Sequence, residues 1–251
     1  MNISIIGTGN VASVIAKLCA QNGHTIIQVI GRNEEKGKSL AKTLQAEYIN
    51  FKGVLNKSID ICIVAIADNA FPEGLHELNF GNKLVVHTAG SISMSMLQNT
   101  STNFGVLYPL QSLRKELATF PPIPFLLEAN NEGSLNILHA FATTLSDTVY
   151  MVEEQKRFRL HAAAVIVSNF TNHLYSIANT YCNNEAVDFN LLKPLILETA
   201  TRIENAAPIT LQTGPAARKD ITTLEKHLQL FGKYPKVKTL YTRMTDSIMN
   251  D

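Results

Sequence analysis

A glycine pair placed directly after an apolar run is the first feature of this 251-residue chain that could do chemistry. Ile3-Ser4-Ile5-Ile6 reads as a buried strand, and Gly7-Thr8-Gly9-Asn10-Val11-Ala12 follows it without interruption. In such a run the first glycine permits a tight strand-to-helix turn and the second lets backbone approach a diphosphate. A small third residue, here Ala12, lets the helix pack on the strand. Val11 to Asn22 has helical patterning, with Val11, Val14, Ile15 and Leu18 on one face and Gly23 as a stop. The helix N-terminus would turn free N–H groups and the positive dipole end toward a phosphate. A dinucleotide is therefore expected on Gly7, Thr8, Gly9, Asn10 and Val11.

The second strand, Thr25 to Ile30, ends in Gly31-Arg32-Asn33. An acidic residue there would accept hydrogen bonds from a free ribose 2′-hydroxyl, and none is present. Arg32 lies about 20 residues past the glycine turn, where a guanidinium can pair with a 2′-phosphate. The expected cofactor is NADP(H) rather than NAD(H), with Gly31, Arg32 and Asn33 at its adenosine end. The alternative is that Arg32 is a solvated loop cation beside Glu34 and Glu35.

These residues need a scaffold, and the pattern supplies one. Asn33 to Leu44 reads as a helix, Glu47 to Ile49 as a short strand, and Ile59 to Ile66 as a central parallel strand. Lys83 to His87 is a further buried strand. The turns closing these two strands, Ala67-Asp68-Asn69-Ala70 and Thr88-Ala89-Gly90-Ser91, fall at the carboxyl ends where ligands bind in doubly wound sheets. Ala67, Asp68 and Thr88 are accordingly expected beside the cofactor. Strands at Gly105 to Leu107, Phe125 to Glu128 and Thr148 to Val152 follow, with a helix at Glu132 to Leu145. Beyond Val152 the chain reads as helices only: Glu154 to Tyr181, Leu191 to Ala206, Ala216 to Leu230 and Val237 to Met249. The expectation is an α/β protein: an N-terminal Rossmann-type doubly wound sheet over residues 1–152, then an all-helical domain over residues 153–251.

At 100° per residue the helix from Glu154 gathers Leu160, Ala163, Ile166, Val167, Phe170, Leu174, Ile177 and Tyr181 on one side. His161, Ser168, Asn169, Asn172, His173 and Ser176 gather on the other. The second side carries no Lys, Arg, Asp or Glu. Solvated helix faces normally recruit charge, so this stripe is either a hydrogen-bonded helix–helix contact or the wall of a wet cleft facing nicotinamide and substrate. Histidine ordinarily titrates near neutrality, so His161 either protonates a reduced carbonyl or imine or makes a structural hydrogen bond. No carboxylate stands at ligand spacing between His161 and His173, and no metal site is expected.

In Thr213-Gly214-Pro215-Ala216-Ala217-Arg218-Lys219-Asp220, Pro215 suits the first turn of a helix and Thr213 or Gly214 can cap it. Arg218 and Lys219 then sit near a positive helix end, an arrangement that a substrate carboxylate or phosphate would relieve. Asp220 neutralising Arg218 internally is the competing reading.

Composition narrows the classes further. A net charge of +1 and a pI near 7.7 give no basic field for nucleic acid. Cys19, Cys62 and Cys182 are widely spaced, which suggests neither a disulfide framework nor a zinc cluster. No signal peptide is read before the first strand. The longest uncharged run, Leu160 to Asn184, is too rich in Asn for a membrane span. A soluble cytoplasmic protein is expected, with no nucleic-acid or membrane partner.

Taken together, Gly7 to Ala12, Gly31-Arg32-Asn33, Asp68, His87-Thr88-Ala89-Gly90-Ser91, Tyr108-Pro109-Leu110-Gln111-Ser112 and Thr213 to Asp220 resemble a bacterial family that pairs a Rossmann-like domain with a helical C-terminal domain of unknown function. That family is similar to pyrroline-5-carboxylate reductase, ketopantoate reductase and the wider 6-phosphogluconate dehydrogenase superfamily. The resemblance implies an NADP-linked oxidoreductase, a reductase of a small carbonyl or imine, that dimerises through the helical domain and has its active site between the domains. Related dehydrogenases place a lysine four residues before an asparagine on the first long C-terminal helix. Aligned on Asn169, that position is Val165. Where relatives often carry histidine before Pro-Leu-Gln, this chain has Tyr108. The candidate catalytic residues are thus His161, Asn169 and Tyr108, with Asn172, His173 and Arg218 as substrate contacts. The competing function is a non-catalytic NADP(H) sensor or interaction protein, which the missing lysine favours.

Overall fold

The computed structural model describes residues 1–71, 75 and 78–250, and the chain divides into two compact units, Met1–Ser168 and Asn169–Asp251. The first unit runs β1 (Asn2–Ile6), α1 (Asn10–Gln21), β2 (Thr25–Ile30), α2 (Glu34–Leu44), β3 (Glu47–Ile49), β4 (Ile61–Val64), β5 (Leu84–His87), β6 (Asn103–Pro109), β7 (Phe125–Ala129), α3 (Glu132–Thr143), β8 (Val149–Met151) and α4 (Glu154–Ala164). The strands form one eight-stranded sheet in the order β3-β2-β1-β4-β5-β6-β7-β8. Strands β1 to β6 are parallel. β7 pairs antiparallel with β6, and β8 runs parallel to β7. The chain winds outward from β1 in one direction, then returns past it through β4 in the other. The reversal between β1 and β4 is the switch point at which such sheets take ligands.

Alternation along the strands makes two cores. Ile3, Ile5, Ile61, Ile63, Val86 and Leu107 pack with Ala12 and Val14 of α1, Leu40 of α2, and Leu138 and Phe141 of α3. Ile6, Ile30, Cys62, Val64 and Val85 face the opposite side with Phe71, Leu75 and Phe80. Burial on both faces explains why β4 is uniformly apolar, and each buried isoleucine contributes about 1.5–3 kcal/mol. A smaller cluster of Val106, Tyr108, Leu126 and Val152, with Leu160 of α4 against it, closes the β6–β7 end.

The second unit contains α5 (Thr171–Asn184), α6 (Lys193–Thr201), α7 (Ile221–Leu230) and α8 (Pro235–Asn250), with short 3-10 turns at Phe189–Leu192, Arg202–Glu204 and Pro208–Leu211. Two local readings need correction. Val165–Phe170 is a π-helical segment rather than part of one regular α-helix from Glu154. The wider π turn puts the wheel out of step, so a constant 100° per residue does not carry from His161 to Asn172. The helix expected from Ala216 begins at Ile221. Lys219 has a positive φ of 54°, and Asp220 caps the helix by accepting the Thr223 N–H at 3.1 Å. Leu191, Leu195 and Leu197 stay largely exposed. No described helix is long and apolar enough to cross a membrane.

Candidate functional site

The glycine turn is wedged between β2 and β4. Gly7 N–H donates to the Ile30 carbonyl at 2.8 Å, and Ala65 N–H to the Ile6 carbonyl at 2.7 Å. Gly7 has φ +123°, and a Cβ there would run into the Ala65 carbonyl, so only glycine fits. Gly9 is the N-cap of α1, and no side chain caps the helix. A Cβ built on Gly9 would meet nothing within 4 Å. The first bond of the helix is Ser13 N–H to Gly9 O at 3.0 Å, which leaves the N–H groups of Asn10, Val11 and Ala12 without intrahelical acceptors. An open space over a glycine, faced by free amides at a positive dipole end, fits a diphosphate.

At the adenosine end a Cβ on Gly31 would meet the Thr8 methyl at 2.9 Å. The Gly31 peptide is held from both sides: Tyr48 Oη donates to its carbonyl at 3.0 Å, and its N–H donates to Ile49 O at 3.2 Å. The Asn33 side chain accepts the Lys36 N–H at 2.8 Å and caps α2. Arg32 is exposed and forms no ion pair among the described residues, while Glu34 is taken by Lys38. The loop cation of the alternative reading therefore lacks Glu34 as its counter-ion.

Where β4 and β5 end, Ala67 is extended and leads into a 3-10 turn beginning at Asp68, whose carboxylate accepts the Ser91 hydroxyl. Thr88 is buried, and both its N–H (3.1 Å) and its hydroxyl (3.4 Å) donate to the Val64 carbonyl. His87 is fully buried and accepts the Ala89 N–H on Nδ1 at 3.2 Å. Desolvation, with the nearby Arg157 cation second, pushes its pKa down to about 3.

Tyr108, near the end of β6, meets His161 of α4. The phenol oxygen lies 2.9 Å from Nδ1, with the rings edge-on at 5.8 Å and 74°. Gly90 makes room for the pair, since a Cβ there would stand 2.7 Å from the His161 ring and 2.9 Å from Tyr108 Cζ. Burial raises the Tyr108 pKa, with Arg157 pulling it down and Asp68 pushing it up. Arg157, four residues before His161 and fully buried, pairs through Nη1 with Glu128 of β7 and donates from Nη2 to Ile92 O at 2.7 Å.

The second unit holds the remaining candidates. Asn169 is exposed at its first position. Asn172 lines a cavity of about 440 Å³ with Tyr175, Asn179 and Asp188. His173 lines a separate, mostly apolar groove of about 1060 Å³ between α5 and α8. Arg218 is exposed in the turn before α7. Asn172, His173 and Arg218 are not gathered around one cavity. Sequence reasoning placed Gly90 and Ser91 only in a turn beside the cofactor, and it missed Glu128 and Arg157. A carboxylate in the otherwise apolar strand Phe125–Ala129 and an arginine one turn before His161 were the available signals.

Residues 123–248 match the family described as Domain of unknown function (DUF2520). The chain belongs to the DUF2520 family. In this DUF2520 protein, residues 2–90 match the family described as NADP oxidoreductase, coenzyme F420-dependent. A candidate NADP oxidoreductase from Bacteroides fragilis is 37% identical over 100% of this chain and 98% of its own, with a TM-score of 0.92. The 1-pyrroline-5-carboxylate reductase of Streptococcus pyogenes shares the fold at 16% identity, covering 100% of this chain and 99% of its own, with a TM-score of 0.62. An imine reductase from Myxococcus stipitatus, solved with NADP+, does so at 17% identity, covering 100% and 92%, with a TM-score of 0.61. No protein of curated function matches the sequence. The DUF2520 protein is thus a member of an NADP-dependent oxidoreductase family.

Proposed function

We propose that this protein uses NADPH to reduce a small carbonyl or imine compound beside the Tyr108–His161 pair. The observation that carries the reading is the 2.9 Å contact of these two side chains at the carboxyl end of the parallel strands, next to the turns expected to hold the nicotinamide half. The names of two fold relatives, a pyrroline-5-carboxylate reductase and an imine reductase, point to the same reaction type.

When bound, NADPH supplies a hydride to the electrophilic carbon. The chain binds and orients: the Gly7 to Val11 turn takes the diphosphate, Arg32 the 2′-phosphate, and Ala67, Asp68 and Thr88 the nicotinamide half. His161, protonated, donates Nδ1–H to Tyr108 Oη, which frees the phenolic hydrogen to point at the substrate heteroatom. As that hydrogen moves to oxygen or nitrogen, the Nδ1 proton passes to Oη, so no phenolate is left and the imidazole ends neutral. One C–H and one O–H or N–H bond form as the C=X π bond breaks, and His161 regains its proton from solvent. This relay supplies the acid that a lysine at position 165 would otherwise provide.

We also propose a homodimer formed by the helical unit, because Phe170, Leu191, Leu195 and Leu197 are each more than half exposed in the single chain. Light scattering at micromolar concentration should give twice the chain mass of 27.6 kDa, and the single-chain mass would end that part of the proposal.

The test is NADPH consumption at 340 nm across a panel of carbonyl and imine compounds, run with wild type and His161→Ala. An accepted substrate should lose about 100-fold in kcat on the substitution while NADPH affinity holds. NADPH binding with no turnover across the panel would instead favour a cofactor sensor.

A further inference from the structure

We propose that the ion pair between buried Arg157 and partly buried Glu128 is a positioning device for the Tyr108–His161 acid, fixing the geometry of the two rings and setting the charge around the phenol. The proposal rests on the reading of Tyr108 and His161 given above. Glu128 lies two residues from Leu126, which faces Tyr108 across the β6–β7 register, so it stands on the same face of the sheet as the phenol. One Glu128 oxygen accepts the N–H of Glu154 at the start of α4, at 3.2 Å, and the other takes Arg157 Nη1. The second arm of the guanidinium donates to the carbonyl of Ile92, two residues past Gly90.

One planar cation thus ties three segments together: β7, the first turn of α4, and the loop after β5. Those segments carry or contact the acid pair. His161 follows Arg157 by four residues and so projects from the same side of α4 one turn on. Gly90 is pressed against both rings. A slip of α4 or of the loop would open the 2.9 Å Tyr108–His161 contact.

Stability is a weak reason for this pair. Desolvating the buried Arg157 guanidinium costs more than packing an apolar side chain there would, Glu128 is only partly buried, and Arg157 Nε has no hydrogen-bond partner among the described residues. A stronger reason is the charge inventory around Tyr108. Arg157 approaches from α4 and Asp68 from the turn after β4, His161 touches the phenol directly, and His87 on β5 is held neutral by burial. Arg157 opposes the upward push on the phenol from burial and Asp68, and Glu128 offsets part of the Arg157 charge.

Two substitutions in the same pair should therefore move Tyr108 in opposite directions. Glu128→Gln leaves the cation less compensated, so the phenol should titrate lower. Arg157→Met removes the cation, so the phenol should titrate higher. Labelling the seven tyrosines with 13C at Cζ, with Tyr108→Phe to assign the resonance, reads this directly by NMR. Each shift should be about threefold or more in proton affinity, and both variants should lose kcat with little change in KM for NADPH. Shifts of the same sign, or an unmoved Tyr108 in proteins that merely melt earlier, would overturn the proposal. Should Arg157→Met fail to fold, Arg157→Lys keeps the charge without the planar fork. It should leave the Tyr108 titration near wild type and still lower kcat, and a wild-type kcat would again overturn the positioning role. Failure of the underlying reading looks different: opposite shifts in a wild-type protein that turns over no carbonyl or imine would remove the acid role and leave only the charge coupling.

Discussion

The two ends of the proposed site are built from different materials. The phosphate end is backbone: two glycines, a helix start with no side-chain cap, and amides pointing into open space. The acid end is side chains drawn from β6, β7, the loop after β5 and α4, centred on residues 53 apart in the chain. Backbone recognition of a diphosphate needs only a local turn, and the same turn serves any chemistry. An acid has to be assembled from distant residues, so it is where members of one fold can differ while keeping the cofactor.

That contrast can be broken in four places. The largest effect is expected from acid. His87 sits beneath the acid end with its pKa pushed down to about 3 from 6.5, so the folded state keeps it neutral while the unfolded chain protonates it. Its stabilising contribution is complete above pH 6.5 and falls away as pH drops toward 3, on the order of 4 kcal/mol in all. Denaturant melts between pH 7 and 4 should show this slope, and His87→Asn should flatten it. Next, Gly7→Ala forces a positive φ and a collision with the Ala65 carbonyl. It should cost about 3 kcal/mol of stability in melts and abolish NADPH binding by calorimetry. Arg32→Ala should weaken NADPH about 30-fold and leave NADH unchanged, and equal losses for the two would mean the guanidinium is a bystander. The smallest effect belongs to Gly90→Ala, whose new methyl would part the two rings. We expect about a tenfold lower kcat with NADPH affinity kept, and a matching loss of affinity would erase the separation of the two ends.

The same contrast governs what could be read from the chain. The central strands β1, β4 and β5 were legible because burial on both faces leaves continuous apolar runs, and the glycine turn because a positive φ beside a close carbonyl demands glycine. Tyr108 and His161 were both visible as single residues, but their meeting was not, because it depends on how β6, α4 and Gly90 pack. Arg157 and Glu128 went unread in the sequence, because only the packing of α4 on β7 pairs them. The π segment at Val165–Phe170 has neither Pro nor Gly to mark it. Pro215 suggested a helix start that Lys219, at a positive φ, and the capping carboxylate of Asp220 place at Ile221 instead.

The most direct measurement is a single turnover of enzyme preloaded with NADPH, mixed with an accepted imine or carbonyl and followed at 340 nm, in wild type and in Tyr108→Phe. The account expects equal NADPH dissociation constants and a rate about 100-fold slower in the variant. Equal rates would contradict it and move the acid elsewhere.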